Sequence, residues 1–488
     1  MKQGCEILTV AEMTAADRAA VTAGTPGVVL MERAGAAVAE AILARWTARP
    51  VVVLCGPGNN GGDGNVAARR LADAGWPVRT ASLAARARLT GDAAAAAQAW
   101  TGLDAALQDL PPIAGELVVD ALFGAGLSKP LDGAARAALE AAEASGCTIV
   151  SVDLPSGLPG DRAAPLGYAP ACALTITFHR KKPAHVLEPG RGLCGEVVVA
   201  DIGLAAPVDA TMFENDPALW VHAFPWPARG AHKHSRGALV VVSGSMARTG
   251  AARLAARAGL RIGAGLVTVL SPPDALLVNA AHLEAVMLAA FGNDGELAGA
   301  ASKASAAVIG PAAGVNGGTH ANVLALAGTP AALVVDADGL TVFRDEPERL
   351  FGALTARDVL TPHPGEFERL FPGLLAASPE RISAARAAAK RAGAVVLLKG
   401  PDTVIAAPDG RAAVNTNGAP WLATAGSGDV LAGFIGGLLA QGMESFEAAC
   451  AGAWIHAQAG SDFGPGLIAE DLPDLAPGVL AALRAGGA

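Results

Sequence analysis

Residues 51–64 read Val51-Val-Val-Leu-Cys-Gly-Pro-Gly-Asn-Asn-Gly-Gly-Asp-Gly64, an apolar run passing straight into nine positions of which five are glycine. The apolar run reads as a buried parallel strand, and the glycines as a strand-to-helix connection whose backbone must approach something closely. Glycine loses more freedom on folding than any other residue, so five of them need a reason. The helix is expected to follow over Val66–Ala74. The stretch is neither GxGxxG nor GxxxxGK[ST], so neither standard nucleotide fingerprint applies. Its unusual content is oxygen, on Asn59, Asn60 and Asp63.

The same alternation of short apolar runs with Ala/Leu/Arg stretches of helical period continues along the chain, the pattern of parallel strands joined by crossover helices. Strands are predicted at Val51–Cys55, Leu117–Phe123, Thr148–Leu154, Ala173–Phe178 and Val197–Ile202. Others are predicted at Ala238–Ser243, Gly265–Leu270, Ala306–Ile309, Leu333–Asp336 and Val395–Leu398. Helices fit Ala134–Ala144, Ala251–Ile262 and Pro379–Ala392 as well. Between Pro207 and Ser235 the rhythm fails, which marks a domain boundary. Two α/β domains follow, each with ligands expected at the carboxyl ends of its strands.

Composition narrows the function. A net charge of −9 over 488 residues, with one basic knot at His179–Lys182, argues against nucleic acid, which requires a basic face. The apolar run Val430–Ala440 ends at Gln441, short of the ~20 residues that span a bilayer. Glu6 and Glu12 interrupt any secretory segment, so a cytoplasmic protein is expected. The six scattered cysteines show no metal-like spacing and read as small apolar side chains. Alanine-rich helix faces are expected to pack against a second copy of the chain.

Two more predicted strand ends carry oxygen. VVDALFGAGLSKP sets Asp120 at the end of its run, before Gly124 and Gly126, and SVDLPSG does the same with Asp153 and Ser156. One such aspartate caps a helix or turn; three strands delivering Asn60, Asp120, Asp153 and Ser156 to one edge build a pocket. NNGGDG, VDALFGAGL and VDLPSG, in this order, resemble the NAD(P)H-hydrate epimerase domain, the YjeF N-terminal family, over about Ile7 to Asp209. The resemblance implies a Rossmann-like three-layer αβα domain acting on the hydrated dinucleotides NADHX and NADPHX. It implies substrate contacts from Asn59, Asn60, Gly61, Gly62 and Asp63, from the loop Gly124, Ala125, Gly126, Leu127, Ser128, Lys129 and Pro130, and from Asp153. It also implies K⁺ held by Asn60, Asp120 and Ser156, hard oxygen donors suited to such an ion. Asp153 is the expected acid/base, with Lys129 a possible helper.

The stretch Thr424–Gly442, TAGSGDVLAGFIGGLLAQG, runs a glycine-rich turn into a long apolar helix with Asp429 in its first turn. Exposed N–H groups and the helix dipole favour anions there, and the adjacent carboxylate can deprotonate a hydroxyl that attacks phosphorus. An aspartate at this point also suits capping alone. With VIGPAAGV, VVDADGL, LTPHPGEFERL and LLKGPDTVIAAPDG, the segment resembles the ADP/ATP-dependent NAD(P)H-hydrate dehydratase, the YjeF C-terminal family of ribokinase-like fold. That resemblance runs from about Phe224 to the end, leaving 210–223 as a linker. It implies dinucleotide contacts from Ala251, Gly314, His363 and Asp429. Adenine-nucleotide contacts are implied from Lys399, Gly400, Pro401, Asp402, Thr403 and Gly428, with ADP as donor. Mg²⁺ is expected with the phosphates, its ligands unnamed, and Glu366 either reaches its water or caps a helix beginning at Phe367. One departure stands out: GPGxG is here Gly310-Pro-Ala-Ala-Gly314, with a β-carbon where glycine is common. Two other readings compete with a bifunctional repair enzyme, namely a ribokinase-like kinase of small alcohols and a dinucleotide-sensing first half.

Overall fold

The computed structural model describes residues 4–486 and forms two compact units, dividing between Met212 and Phe213. In the first, seven parallel strands are β1 (Val51–Cys55), β2 (Val78–Ser82), β3 (Leu103–Ala106), β4 (Leu117–Ala121), β5 (Thr148–Val152), β6 (Leu174–Phe178) and β7 (Glu196–Ala200). They lie in the order β3-β2-β1-β4-β5-β6-β7. Every residue of β1 is buried, as a strand covered on both faces must be. Val51, Val53 and Cys55 join the core beneath α2 (Gly27–Leu43) and α3 (Asn59–Asp73). Val52 and Leu54 point the other way, toward α5 (Gly133–Ala144). Strand order reverses between β1 and β4, so the connections after these two strands diverge and leave a crevice at their carboxyl ends.

The glycine-rich stretch is not a loop. Helix α3 begins at Asn59, so NNGGDG forms its first two turns, earlier than the start expected at Val66. The glycines answer to protein atoms. A Cβ on Gly61 would lie 2.0 Å from the Gly56 carbonyl oxygen, on Gly62 2.6 Å from the Met31 side chain, and on Gly64 2.5 Å from Ala121 Cβ. Close seating of α3 on β1, β4 and α2 is what excludes side chains. Two helices that the sequence reading passed over precede the sheet, α1 (Val10–Thr22) and α2. The first opens with a reciprocal capping box between Thr9 and Glu12.

The sheet of the second unit includes β8 (Ala238–Val242), β9 (Leu266–Ser271), β10 (Met287–Ala290), β11 (Ala306–Ile309), β12 (Ala332–Val335), β13 (Val359–Leu360), β14 (Val395–Leu398), β15 (Val404–Ala406) and β16 (Ala412–Val414). They follow the order β16-β15-β14-β13-β12-β11-β8-β9-β10. Pairing is parallel from β10 to β14 and antiparallel through β15 and β16. The order reverses between β8 and β11, giving a second switch-point crevice. Helices α6 (Gly250–Arg261) and α9 (Ser427–Ala440) cross so closely that a Cβ on Gly433 would lie 2.2 Å from the Ala255 carbonyl oxygen. Ala252, Ala255, Ala256 and Ala258 are thereby buried within the unit. These four alanines serve packing within the unit.

The stretch read as a linker is partly core. Trp220 is fully buried, and its indole N–H donates to Asn215 Oδ1 at 3.1 Å. Asn215 in turn donates to Asn415 Oδ1 and the Cys450 carbonyl, each at 2.8 Å. A run that lacks helical or strand period can still be held by one buried indole and one amide, which periodicity does not detect. Among the described residues no helix is long and apolar enough to cross a membrane.

Candidate active sites

The first crevice is a cavity of about 1260 Å³ in the first unit. Gly58, Asn59, Asn60 and Asp63 from the start of α3 line it, as do Gly124 through Pro130 and Asp153. Gly61 and Gly62 do not; they face the protein, as above. The expectation that bare backbone faces a ligand survives at Gly58, where an added Cβ would meet nothing within 4 Å. Gly124 is required for another reason, since its Cβ would come within 2.9 Å of Asp153 Oδ2 and 3.0 Å of Asn60 Oδ1.

Asp153 sits just past β5 in the left-handed region, φ 66°, a strained conformation that persists only where surroundings enforce it. They do. Lys182 Nζ donates to Oδ1 at 2.8 Å and Thr177 Oγ1 at 3.0 Å, while the Ala125 N–H donates to Oδ2 at 2.9 Å. Burial pushes this carboxyl up, but the Lys182 charge and hydrogen bond outweigh it and hold the group at about 2. Lys182, itself 2% exposed, is positioned by His185. The His185 Nδ1 accepts the Lys182 backbone N–H at 2.9 Å, leaving Nε2–H to donate to the Asp153 carbonyl at 2.8 Å. Burial, helped by Lys182, lowers His185 to about 4 and keeps it neutral in that role.

Lys182 was missed as a site residue because the basic knot His179–Lys182 was weighed only as net charge. Asp17, on α1, also lines the cavity and was missed with its helix. The Thr9-x-x-Glu12 pattern was a legible signal for that helix. Lys129 lines the cavity as well.

Of the three residues expected to hold a cation, the structure joins Asp120 and Ser156 directly. Ser156 Oγ donates to Asp120 Oδ1 at 2.6 Å and its N–H to Oδ2 at 2.8 Å, and Phe123 O is 3.2 Å from the same hydroxyl. Burial raises Asp120 to about 6 against those hydrogen bonds. Asn60 Nδ2 is buried without a hydrogen-bond partner among the described residues. A set of amide, carboxylate, hydroxyl and carbonyl oxygens fits a hard cation.

In the second crevice the functional side chains come from the carboxyl ends of β12, β13 and β14 and from the start of α9. Lys399, after β14, donates to Asp336 Oδ1 at 2.8 Å and stands 4.0 Å from Glu366 Oε2. A Cβ on Gly428 would lie 3.5 Å from Lys399 Nζ and 3.8 Å from Asp336 Oδ2, so the ammonium and the N-terminus of α9 share one hollow. Burial, then the charge of Asp336, raises Asp429 to about 6 in spite of Lys399. No side chain caps α9; Gly426 at φ 89° makes the turn. Asp429 therefore does not serve as the helix cap. Ser427 Oγ lies 3.0 Å from the buried His456 Nε2.

His363 is the N-cap of α7 (Pro364–Leu370) and Glu366 its reciprocal partner, accepting the His363 N–H at 2.9 Å. The helix starts at Pro364, three residues before the expected start, and capping is the role Glu366 shows. Asp402 is turned inward, 2% exposed with Arg381 Nε at 3.2 Å. The Arg381 contact ties this carboxylate to the helix that precedes β14. Thr403 Oγ1 closes that turn on the Gly400 carbonyl at 2.8 Å. Ala251 lies in the first turn of α6, and Gly314 N donates to Asp338 Oδ2 at 2.8 Å.

The GPAAG departure carries strain. Gly310 must be glycine, at φ 121° with a Cβ that would lie 1.8 Å from the Asp336 carbonyl, but Ala312 also has positive φ, 52°. An L-residue there costs roughly 1–2 kcal/mol, partly offset by the smaller entropy loss of alanine. Ala312→Gly is expected to stabilise the second unit by about 1 kcal/mol, raising its thermal transition by about 2 °C. A calorimetric scan showing a fall would mean the loop is relaxed as it stands.

Residues 239–474 match the family described as NAD(P)H-hydrate dehydratase, and residues 27–184 match that described as YjeF-related protein N-terminus. A bifunctional NAD(P)H-hydrate repair enzyme of Moorella thermoacetica is 36% identical, over 97% of this chain and 96% of that protein. The enzyme of the same name from Coxiella burnetii is 34% identical over 93% and 95%. Among solved structures, a ribokinase-like superfamily protein of Enterococcus faecalis superposes with a TM-score of 0.50 at 23% identity, covering 57% of this chain and 99% of that one. That likeness shows the fold of the second unit.

Proposed function

The chain belongs to the family of bifunctional NAD(P)H-hydrate repair enzymes, and from that premise we propose how its two crevices divide the work. The first interconverts the R and S hydrates of NADH and NADPH. The second dehydrates the S form at the expense of ADP. The observation that carries the reading is the hollow where Gly428, Lys399 and Asp429 meet.

Hydroxide is a poor leaving group, and phosphorylating the C6 hydroxyl makes it a good one. Asp429, raised to about 6, is ionised at neutral pH yet basic enough to take the hydroxyl proton. The Gly428 amide, the α9 dipole and Lys399 stabilise charge on the transferring phosphoryl. Asp336 keeps Lys399 protonated: burial lowers the lysine, but the two carboxylates beside it raise it above its ordinary value. The 399–403 turn and Gly428 hold the nucleotide, and Ala251, Gly314 and His363 the dinucleotide. Mg²⁺ bound with the phosphates would neutralise their charge, and such an ion needs only one or two protein carboxylates.

In the first crevice Asn59, Asn60, Asp63 and the 124–130 loop hold the hydrate beside Asp153. Asn60, Asp120 and Ser156 would hold K⁺, which would supply fixed positive charge to this crevice.

Gly428 provides a sharp test, because its surroundings leave ordinary contact distances for a methyl group. Gly428→Ala is expected to keep the parental melting temperature and raise the KM for ADP at least ~10-fold, since only a bound phosphate competes for that space. The reading as a whole is tested with purified S-hydrate, following the return of reduced-dinucleotide absorbance with ADP, ATP or neither. Accumulation of a phosphorylated small alcohol, with no dinucleotide regained, would identify a kinase instead.

A further inference from the structure

The epimerase cavity holds a second carboxyl that faces the substrate space and has no partner of its own among the described residues. Asp63 lies one turn into α3 and is 9% exposed. Its backbone is pinned, because a Cβ on Gly35 would meet the Asp63 carbonyl at 2.5 Å. Its side chain nevertheless lines the cavity, and among the described residues no hydrogen bond or ion pair engages it. Asp153 is the contrary case, with three donors on its two oxygens.

Resting on the epimerase reading, we propose that Asp63 is the general acid of the first site and works in the same cavity as the Lys182-clamped Asp153. In the R-to-S direction Asp63 donates its proton to the C6 hydroxyl as the C6–O bond breaks. Water departs, and the N1 lone pair forms a C6=N1 iminium. Water then adds to the opposite face of C6, returning the electron pair to N1, and its proton passes to Asp153. Exchange of both carboxyls with solvent restores the start, with no net redox change. The adding water becomes a strong acid as its C–O bond forms, so even a tightly held carboxylate accepts its proton; the departing hydroxyl needs a group that is still protonated.

The surroundings suit the roles. Burial first, then the charges of Asp153 and Asp17, raise Asp63 well above the ordinary aspartate range. Asp17 is itself raised by burial, against Lys182. The charged groups sharing the cavity are Asp17 and Arg18 of α1, Asp92 of α4 (Gly91–Ala99), Lys129 and Asp132 of the loop, and Asp153 with Lys182. Two carboxyls whose environments drive them apart are the pattern of an acid and base pair.

The test follows R-to-S conversion chromatographically with the full chain and no nucleotide, so that dehydration is silent. Asp63→Asn is expected to lower kcat at least ~100-fold with KM within about threefold, and to remove the alkaline fall of the kcat profile. Asp63→Glu should restore part of the rate. Dehydration of S-hydrate with ADP, unchanged, shows the variant folded. A kcat within fivefold of the parent, a retained alkaline limb, or a loss confined to KM overturns the assignment. A parental chain that leaves R-hydrate unconverted overturns the epimerase reading itself, and the assignment with it.

Discussion

Asp429→Ala is expected to lower ADP-dependent dehydration of S-hydrate by about 10³-fold or more, while R-to-S conversion continues at the parental rate. The expectation follows from position and electrostatics together. Asp429 stands in the first turn of α9 beside the Gly428 amide, near a lysine and a buried aspartate, and is raised to about 6. A base must be ionised to act, so the parental dehydration rate should fall as pH drops through about 6, and Asp429→Asn should erase that limb. Stability separates this role from a structural one. A carboxyl raised in the folded state favours folding only below its unfolded pKa, and that contribution is lost as pH rises. The variant should therefore melt no lower than the parent at pH 7. Unimpaired clearance of S-hydrate would show that another group takes the proton.

Lys182→Met should produce the largest stability loss, about 3 kcal/mol or more in the first unit, together with loss of epimerisation. Removing one partner of a buried pair leaves the other charge uncompensated, and Lys182 and Asp153 are 2% and 15% exposed. The pH dependence has a definite sign. In the parent, Asp153 is lowered to about 2, so its contribution of about 2 kcal/mol is complete above the ordinary aspartate pKa and lost as pH falls from about 4 to about 2. In the variant the carboxyl has burial without a cation, so its pKa rises and acid relieves it. The melting gap between parent and variant should narrow from pH 7 toward pH 4. A gap that is constant or widens would mean the pair contributes little, and dehydration at the parental rate serves as the internal control.

Much of this architecture was legible beforehand because parallel strands buried on both faces leave unbroken apolar runs. Val51–Cys55, Ala306–Ile309 and Val395–Leu398 occupy the ranges expected. Strands that escaped notice were short or half-covered, such as Met287–Ala290 and Leu103–Ala106; their residues are partly exposed and Ala-rich, which periodicity reads as helix. The glycines of α3 misled for a related reason. Glycine signals close approach but not by what, and here most of the approach is by Met31, Gly56 and Ala121. Lys182 was overlooked because a basic residue in a basic cluster looks solvated until its partner is placed.

The amino-acid order alone determined where strands end and which oxygens and amides stand at those ends, since apolar runs, glycines and acidic residues are local and a strand's direction follows from its neighbours. Tertiary structure decided which of those groups meet. Lys182 reaches Asp153 from 29 residues away, and Lys399 reaches Asp336 from 63. Whether a carboxyl is held near 2 or pushed up depends on such partners and on the water excluded around them. Neither exists until the strands pair and the helices close over them.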